Sequence, residues 1–246
     1  MLFRSLDVLE FLGRNEDTSF EDIYSEIGIP KSSAYQLLLT LESRGYLRRI
    51  GEGKRYALGL KLFELGNQSV SQLKIRTEAM PILRDLMFKT NQTCHLGILE
   101  GTEGVYLAKV EGGQAVRINS WEGKRIAFHS TAMGKVLLAW RDEENIDEIL
   151  NQTTLIALTK KTITDRNELK KHLQMIRKRG WALDDEENEP DIRCVAAPVR
   201  HITGAVIAAI SVSGLATRSN DEVLPEVSGL VMKAAIQLSA KMGNNQ

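Results

Sequence analysis

The sequence predicts an α+β protein in two parts: a small helical domain closed by a hairpin, then a larger domain that mixes strands with helices. Three observations predict it. Within residues 19–56, apolar residues recur at helical spacing in two short runs, and a hairpin signature follows. From Ile75 onward, alternating β-rich runs interleave with amphipathic helices, the pattern of an α+β domain with a mostly antiparallel sheet. A chain of 246 residues has room for one small and one ordinary domain.

In chain order, Phe3, Leu6, Leu9 and Leu12 mark an opening helix that packs under the next two. The run Gly13-Arg14-Asn15-Glu16-Asp17 breaks it. Ser19 is placed to cap a second helix, whose apolar face is Phe20, Ile23, Tyr24 and Ile27. Gly28 stands where a helix C-terminus favours left-handed backbone. Pro30 suits the first turn of a third helix, where its missing N–H costs nothing. In that helix Ala34, Leu37, Leu38 and Leu41 face inward. Its other side carries Ser32, Ser33, Tyr35, Gln36, Thr40 and Ser43, which are uncharged and rich in hydrogen-bonding groups. Such a face suits a helix lying against base edges in a major groove. Leu47–Ile50, the turn Gly51-Glu52-Gly53 and residues 54–58 read as a hairpin with a basic tip. Residues 1–60 therefore read as a winged helix-turn-helix. The blander reading, a helical subdomain serving only packing, is outweighed because helix spacing, turn residues and basic wing agree.

From residue 60 to 90 the pattern is again helical, with Leu62, Leu65, Leu73, Ile82, Leu83 and Leu86 as apolar positions. Gly66 and Pro81 interrupt it, which predicts two helices or one kinked connector. Residues 61–76 are taken as a helical linker and 77–246 as the second domain. The linker serves either contact with a second copy or packing onto the next domain. Residues 93–99 and 104–110 alternate around Glu100-Gly101-Thr102-Glu103, a hairpin, and residues 116–120 are expected as a further strand. The segment from His129 to Trp140 reads as a loop entering a helix; residues 142–150 and 165–179 are further helices, the last stopping at Gly180. Residues 194–200 and 205–213 are apolar strands, and 220–242 a final amphipathic helix.

Composition is that of a globular protein, with no apolar run long enough for a membrane span and no secretory signal pattern at the start. Cys94 and Cys194 make neither a disulfide framework nor a zinc spacing, so a reducing cytoplasm is the expected compartment. Formal net charge is zero, but its distribution is uneven. Residues 1–27 hold two basic and seven acidic side chains; residues 28–61 hold seven basic (Lys31, Arg44, Arg48, Arg49, Lys54, Arg55, Lys61) and two acidic ones. The positive segment holds the outward helix and wing, an electrostatic footprint for phosphates.

Three constellations carry potential chemistry in the second domain. The helix start at residues 131–134 offers free backbone N–H groups and a positive macrodipole end, an anion site that every helix shares. In Asp184-Asp185-Glu186-Glu187-Asn188-Glu189, most residues are expected to form a solvated loop, with Asp184, next to Trp181-Ala182-Leu183, pointing inward. Ser211 and Ser213 face the same side of an apolar strand and either line a pocket or satisfy backbone groups. His129 and Cys194 are the residue types of a nucleophile–base pair, but nothing in their spacing brings them together, and a lone buried Cys is usually apolar filler. There is no phosphate-cradling glycine loop and no His/Glu metal cluster, so neither metal nor cofactor is expected, and the chain does not read as an enzyme.

These residues resemble the IclR family of bacterial transcriptional regulators over nearly the whole chain. The matches begin with Ile29-Pro30-Lys31-Ser32-Ser33-Ala34-Tyr35-Gln36-Leu37-Leu38 and Arg44-Gly45-Tyr46-Leu47. They continue with His129-Ser130-Thr131-Ala132-Met133-Gly134-Lys135, Gly180-Trp181 with Asp184-Asp185-Glu186-Glu187, Ile192-Arg193-Cys194-Val195-Ala196-Ala197-Pro198-Val199 and Ala209-Ile210-Ser211-Val212-Ser213-Gly214. Within the family the chain is similar to regulators of sugar-acid catabolism such as the ketodeoxygluconate regulator. The resemblance implies a DNA-binding domain, a helical linker and a GAF-like effector-binding domain. It implies homodimers, often paired into tetramers, on palindromic double-stranded operators. Many members are repressors released by a small carboxylate; some are activators. Carried over by motif, polar contacts to the effector come from the Ala132 and Met133 amides, Asp184, Cys194, Ser211 and Ser213. The apolar wall is Ala115, Ile118, Ile126 and Ile192. DNA contacts fall to Lys31, Ser32, Ser33, Tyr35, Gln36 and Arg44, with Lys54 and Arg55 on phosphates. Gln36 departs from the family's usual arginine, and Ala132 and Met133 fill positions that can be smaller in relatives. The readings left open are an activator of the same architecture and a metabolite-handling enzyme whose N-terminal domain only dimerises.

Overall fold

The computed structural model describes residues 2–15, 17–51, 55–71, 73–113 and 118–244, and the chain divides into two compact units, 1–72 and 73–246. Lys54 and Ala115 lie outside the described residues. Among the described residues no helix is long and apolar enough to cross a membrane.

The first unit is built from α1 (Leu2–Arg14), β1 (Thr18–Ser19), α2 (Phe20–Ile27), α3 (Lys31–Ser43), β2 (Leu47–Ile50), β3 (Arg55–Leu58) and α4 (Leu60–Ser71). Ser19 caps α2 as expected, and Asp22 returns the bond in a capping box. Gly28 takes the left-handed conformation at the end of α2 (φ 62°), which only a residue without Cβ adopts freely. The short turn aims α3 across α2, and Ile23, Ile27, Leu38, Leu41, Leu47 and Tyr56 close one core with Val8 and Leu12. Leu6 is 59% exposed and outside that core. The reason is arithmetic: a strict spacing of three drifts around a helix, whereas Val8 and Leu12 are four apart and stay on one face. β3 pairs antiparallel with both β2 and β1, the last a strand too short to announce itself in sequence.

The connector corrects a second expectation. α4 ends at Ser71 and α5 runs Lys74–Thr90; Gly66 lies within α4 and Pro81 within α5, so neither residue ends a helix. Pro81 and Thr77 are both exposed, so the carbonyl that Pro81 leaves without a partner faces water.

In the second unit a six-stranded sheet runs in the order β6-β5-β4-β9-β8-β7, and every neighbouring pair is antiparallel. Its strands are β4 (Thr93–Glu100), β5 (Glu103–Val110), β6 (Arg125–Ile126), β7 (Ala182–Asp185), β8 (Ile192–Arg200) and β9 (Val206–Leu215). The helices after α5 are α6 (Ala132–Ala139), α7 (Glu143–Gln152), α8 (Arg166–Arg179) and α9 (Leu224–Lys241). Ala182, Cys194, Ala196 and Ala209 meet the apolar residues of α6, α7 and α8. The alternate residues Val195, Ala197, Val199, Ala208, Ile210 and Val212 are also buried, so both faces are covered. α5 and α9 pack against the sheet and each other.

Residues 118–120 are not the expected strand. The Ser120 N–H turns back to the Ile118 carbonyl at 2.8 Å, and Lys109 Nζ takes the carbonyls of Ser120 (2.8 Å) and Ile118 (3.3 Å). Those carbonyls serve a side chain rather than a ladder, and Arg125–Ile126 pairs with β5 instead.

Candidate functional site

The outer face of α3 forms one candidate surface. Lys31, Ser32, Ser33, Tyr35, Gln36 and Thr40 are all exposed, while Ala34, Leu38 and Leu41 anchor the opposite face. Thr40 Oγ1 donates to the Gln36 backbone carbonyl at 2.8 Å, and the Gln36 side chain is exposed. Lys31 Nζ lies over the rings of Phe20 and Tyr24, 5.9 and 5.7 Å from their centroids, and Tyr35 packs edge-on to Phe20. Arg44 is exposed just past the helix. Arg55 is tied to the β1 turn: its Nη1 donates to the Asp17 carbonyl at 2.6 Å and pairs with the Asp17 carboxylate at 3.5 Å. The positive field is thus smaller than the residue count suggests, since Arg49 also pairs with Glu42.

The second candidate is a cavity of about 90 Å³ between the sheet and the start of α6. Sheet register explains its polar floor. Asp184 stands opposite Cys194, and Cys194 opposite Ser213; one row on, Ala196 faces Ser211, and Ser211 faces His95. Strand alternation turns these side chains to the same face. The cavity's other side is the N-terminus of α6. Thr131 caps it by accepting from the Gly134 N–H at 2.9 Å, and helix geometry leaves the Ala132 and Met133 amides without an intrahelical acceptor. Close approach of this helix start requires Gly134: a Cβ there would overlap the Ala127 carbonyl and stand 2.6 Å from Phe128 Cα.

Of the residues carried over by motif, Ala132, Met133, Asp184, Cys194, Ser211, Ser213, Ile118 and Ile192 line this cavity. Ile126 does not. It is buried beside Met133 over Gly97, and its strand edge borders a separate hollow. Tyr106, Ser120, Lys124 and Asn188 line the cavity without having been singled out. They come from the 118–125 segment, from β5 and from the turn after β7, where their polarity looks ordinary in sequence.

Asp184 is 1% exposed, and its Oδ1 accepts from the Glu187 N–H (2.8 Å) and the Asn188 N–H (3.3 Å). Burial pushes its carboxyl up to about 7 despite those bonds and the nearby Lys135. Near neutrality the group therefore exists in both forms, an acceptor when ionised and a donor when protonated. Below the cavity Lys135, wholly buried, donates to the Leu183 carbonyl at 3.0 Å and pairs with Glu187. Burial lowers Lys135 and raises Glu187, and each partner opposes the shift. Thr159 Oγ1 bonds the Glu186 carbonyl (2.8 Å) and Thr162 Oγ1 the Glu187 carbonyl (2.6 Å), so the turn is clamped from both sides. The acidic run is therefore not a solvated loop: Asp184 and Glu187 are buried, and Asp185 is paired with Arg193.

Burial and Asp184 hold the Cys194 thiol well above its usual range, the opposite of an activated nucleophile. His129 borders the other hollow and bonds the Ile156 carbonyl at 2.9 Å, so the two do not share a site. Among the described residues no cluster of His, Cys, Asp and Glu has the arrangement to hold a metal.

The IclR helix-turn-helix model matches residues 1–51, and the model for the bacterial transcriptional regulator IclR C-terminal domain matches residues 67–240. The chain belongs to the IclR family of transcriptional regulators. It is 39% identical over 241 residues to the HTH-type transcriptional regulator XynR of Escherichia coli, covering 98% of this chain and 96% of that one. It is 36% identical over 236 residues to the regulator KdgR of Escherichia coli, covering 96% and 90%. The crystal structure of the Thermotoga maritima IclR superposes with a TM-score of 0.80 at 37% identity over 98% of each chain. The families matched are regulators rather than enzymes, and α2 and α3 lie within the matched IclR helix-turn-helix domain.

Proposed function

We propose that this IclR-family regulator is a repressor released by a small carboxylate or sugar acid bound in the second unit. One observation carries the reading: a cavity that joins free helix N-terminal amides to a buried carboxyl and two strand hydroxyls. The amides and helix dipole suit the carboxylate. Asp184, Ser211 and Ser213 suit hydroxyls, and Ile118 and Ile192 the carbon chain. Lys31, Ser32, Ser33, Tyr35, Gln36 and Arg44 read the operator, with Lys54 and Arg55 on phosphates. Exposed Leu60, Phe63 and Leu65 along α4 support homodimers, or dimers of dimers, on a palindromic site.

The test is a thermal-shift panel of sugar acids and keto acids, followed by a mobility-shift assay with the upstream region of the protein's own gene. At least one acid is expected to raise the melting temperature, to weaken DNA binding, and to lose both effects in Asp184→Ala. An equal shift in Asp184→Ala, or none with any acid, would sink the sensor reading. Stronger DNA binding with ligand would make the protein an activator-type switch instead.

A further inference from the structure

His95 lies under the cavity, 1% exposed, in the middle of β4. Its Nε2 is 2.8 Å from Ser120 Oγ, and its Nδ1 is 3.5 Å from Ser211 Oγ. Both serines line the cavity and arrive from different directions, one from the 118–125 segment and one from β9. Tyr106 packs against the imidazole, with centroids 5.1 Å apart, so the ring sits in a fixed plane. Burial, and then the neighbouring Lys109, push the imidazole down to about 3, so it is neutral across the physiological range.

A neutral imidazole has one N–H and one bare nitrogen. One serine must therefore accept from the ring, which leaves its own O–H free. The other must donate to the ring, which commits its only proton. Interchanging the tautomer swaps the roles but never makes them alike. From this geometry, and resting on the effector reading above, we infer that His95 is a positioning residue that gives Ser120 and Ser211 opposite hydrogen-bonding senses toward the ligand. One hydroxyl can donate to the ligand; the other can only accept from it. The cavity therefore selects an acid that carries at least one hydroxyl. Acids that only accept leave one serine oxygen unpaired in a buried site, an unfavourable outcome.

The test has two arms on the full chain. The protein has four histidines, so ¹⁵N-histidine spectra compared with His95→Leu identify the ring signals; if that variant fails to fold, Ser120→Ala identifies them by selective perturbation. A neutral ring, in either tautomer, is expected between pH 5 and 8. A ring that takes up a proton in that range would overturn the inference. In the second arm, D-gluconate and D-glycerate are compared with pyruvate and propionate, which carry no hydroxyl. The hydroxy acids should bind at least tenfold more tightly, and the ratio should collapse toward one in His95→Leu or Ser120→Ala. Binding with no preference for hydroxyls overturns the inference and leaves the effector reading standing. No binding by any acid overturns both.

Discussion

At the scale of single residues, Asp184 makes the second unit's stability depend on pH. Its folded value is about 7, whereas an unfolded aspartate titrates near 3.9. Between those values the folded chain keeps a proton that the unfolded chain has released. Stability therefore falls as pH rises through this window, with an upper slope of about 1.4 kcal/mol per pH unit, and levels off above it. Asp184→Asn removes the titration and can still accept the Glu187 and Asn188 N–H bonds. Urea midpoints measured from pH 5 to 8 should fall in the wild type relative to this variant. Parallel pH profiles would show that Asp184 does not hold the proton. Gln36 gives a second residue-scale prediction: Gln36→Ala should change operator preference at one base position by about 1–3 kcal/mol, read from binding to single-base operator variants. Loss of affinity spread evenly over all variants would instead make Gln36 a backbone contact.

At the scale of elements, the contact between α6 and the turn after β7 depends on Lys135 and Glu187. Lys135→Met strands a buried carboxylate, whose Oε2 already lacks a partner among the described residues, and should cost about 3–5 kcal/mol in urea unfolding. The double replacement Lys135→Met with Glu187→Leu removes both charges and should recover most of that loss. A double variant as unstable as the single one would show that packing, not charge, dominates there. The same elements show what was legible in the sequence. α2, α3 and the hairpins could be read because period, cap and turn residues coincide in each. Asp184 and the two serines could be read because each sits at a phase fixed by its apolar neighbours. β7 was hidden within a charge run, because an acidic residue looks the same whether solvated or buried against a lysine 52 positions earlier. His95 and Ser120 were hidden for a related reason: their pairing is made by sheet register and by a turn pinned through Lys109, and neither leaves a local pattern.

At the scale of the molecule, two units with separate cores predict separate melting events. Calorimetry should resolve a transition for residues 1–72 and another for 73–246, and a ligand should raise only the second. The gain at one hundred times the dissociation constant is about 2.7 kcal/mol. A single transition moved as a whole by ligand would mean that the units unfold together. Electrostatics belongs to this scale as well. Neutralising Lys54 and Arg55 together should weaken binding to every DNA sequence and lower the salt slope by about two, slightly less where Asp17 already screens Arg55. Unchanged binding at raised salt would remove the wing from the interface.

Gly97 shows where the range of acceptable ligands is set. A Cβ there would overlap Met133 Sδ and stand 2.8 Å from Ile126 Cδ1. The missing methyl is the space that the Met133 side chain, itself part of the cavity wall, packs into. Adding it would displace the Met133 thioether and so reshape the cavity without changing the identity of any residue that lines it. The bore of this cavity is thus gauged from behind its wall, at position 97.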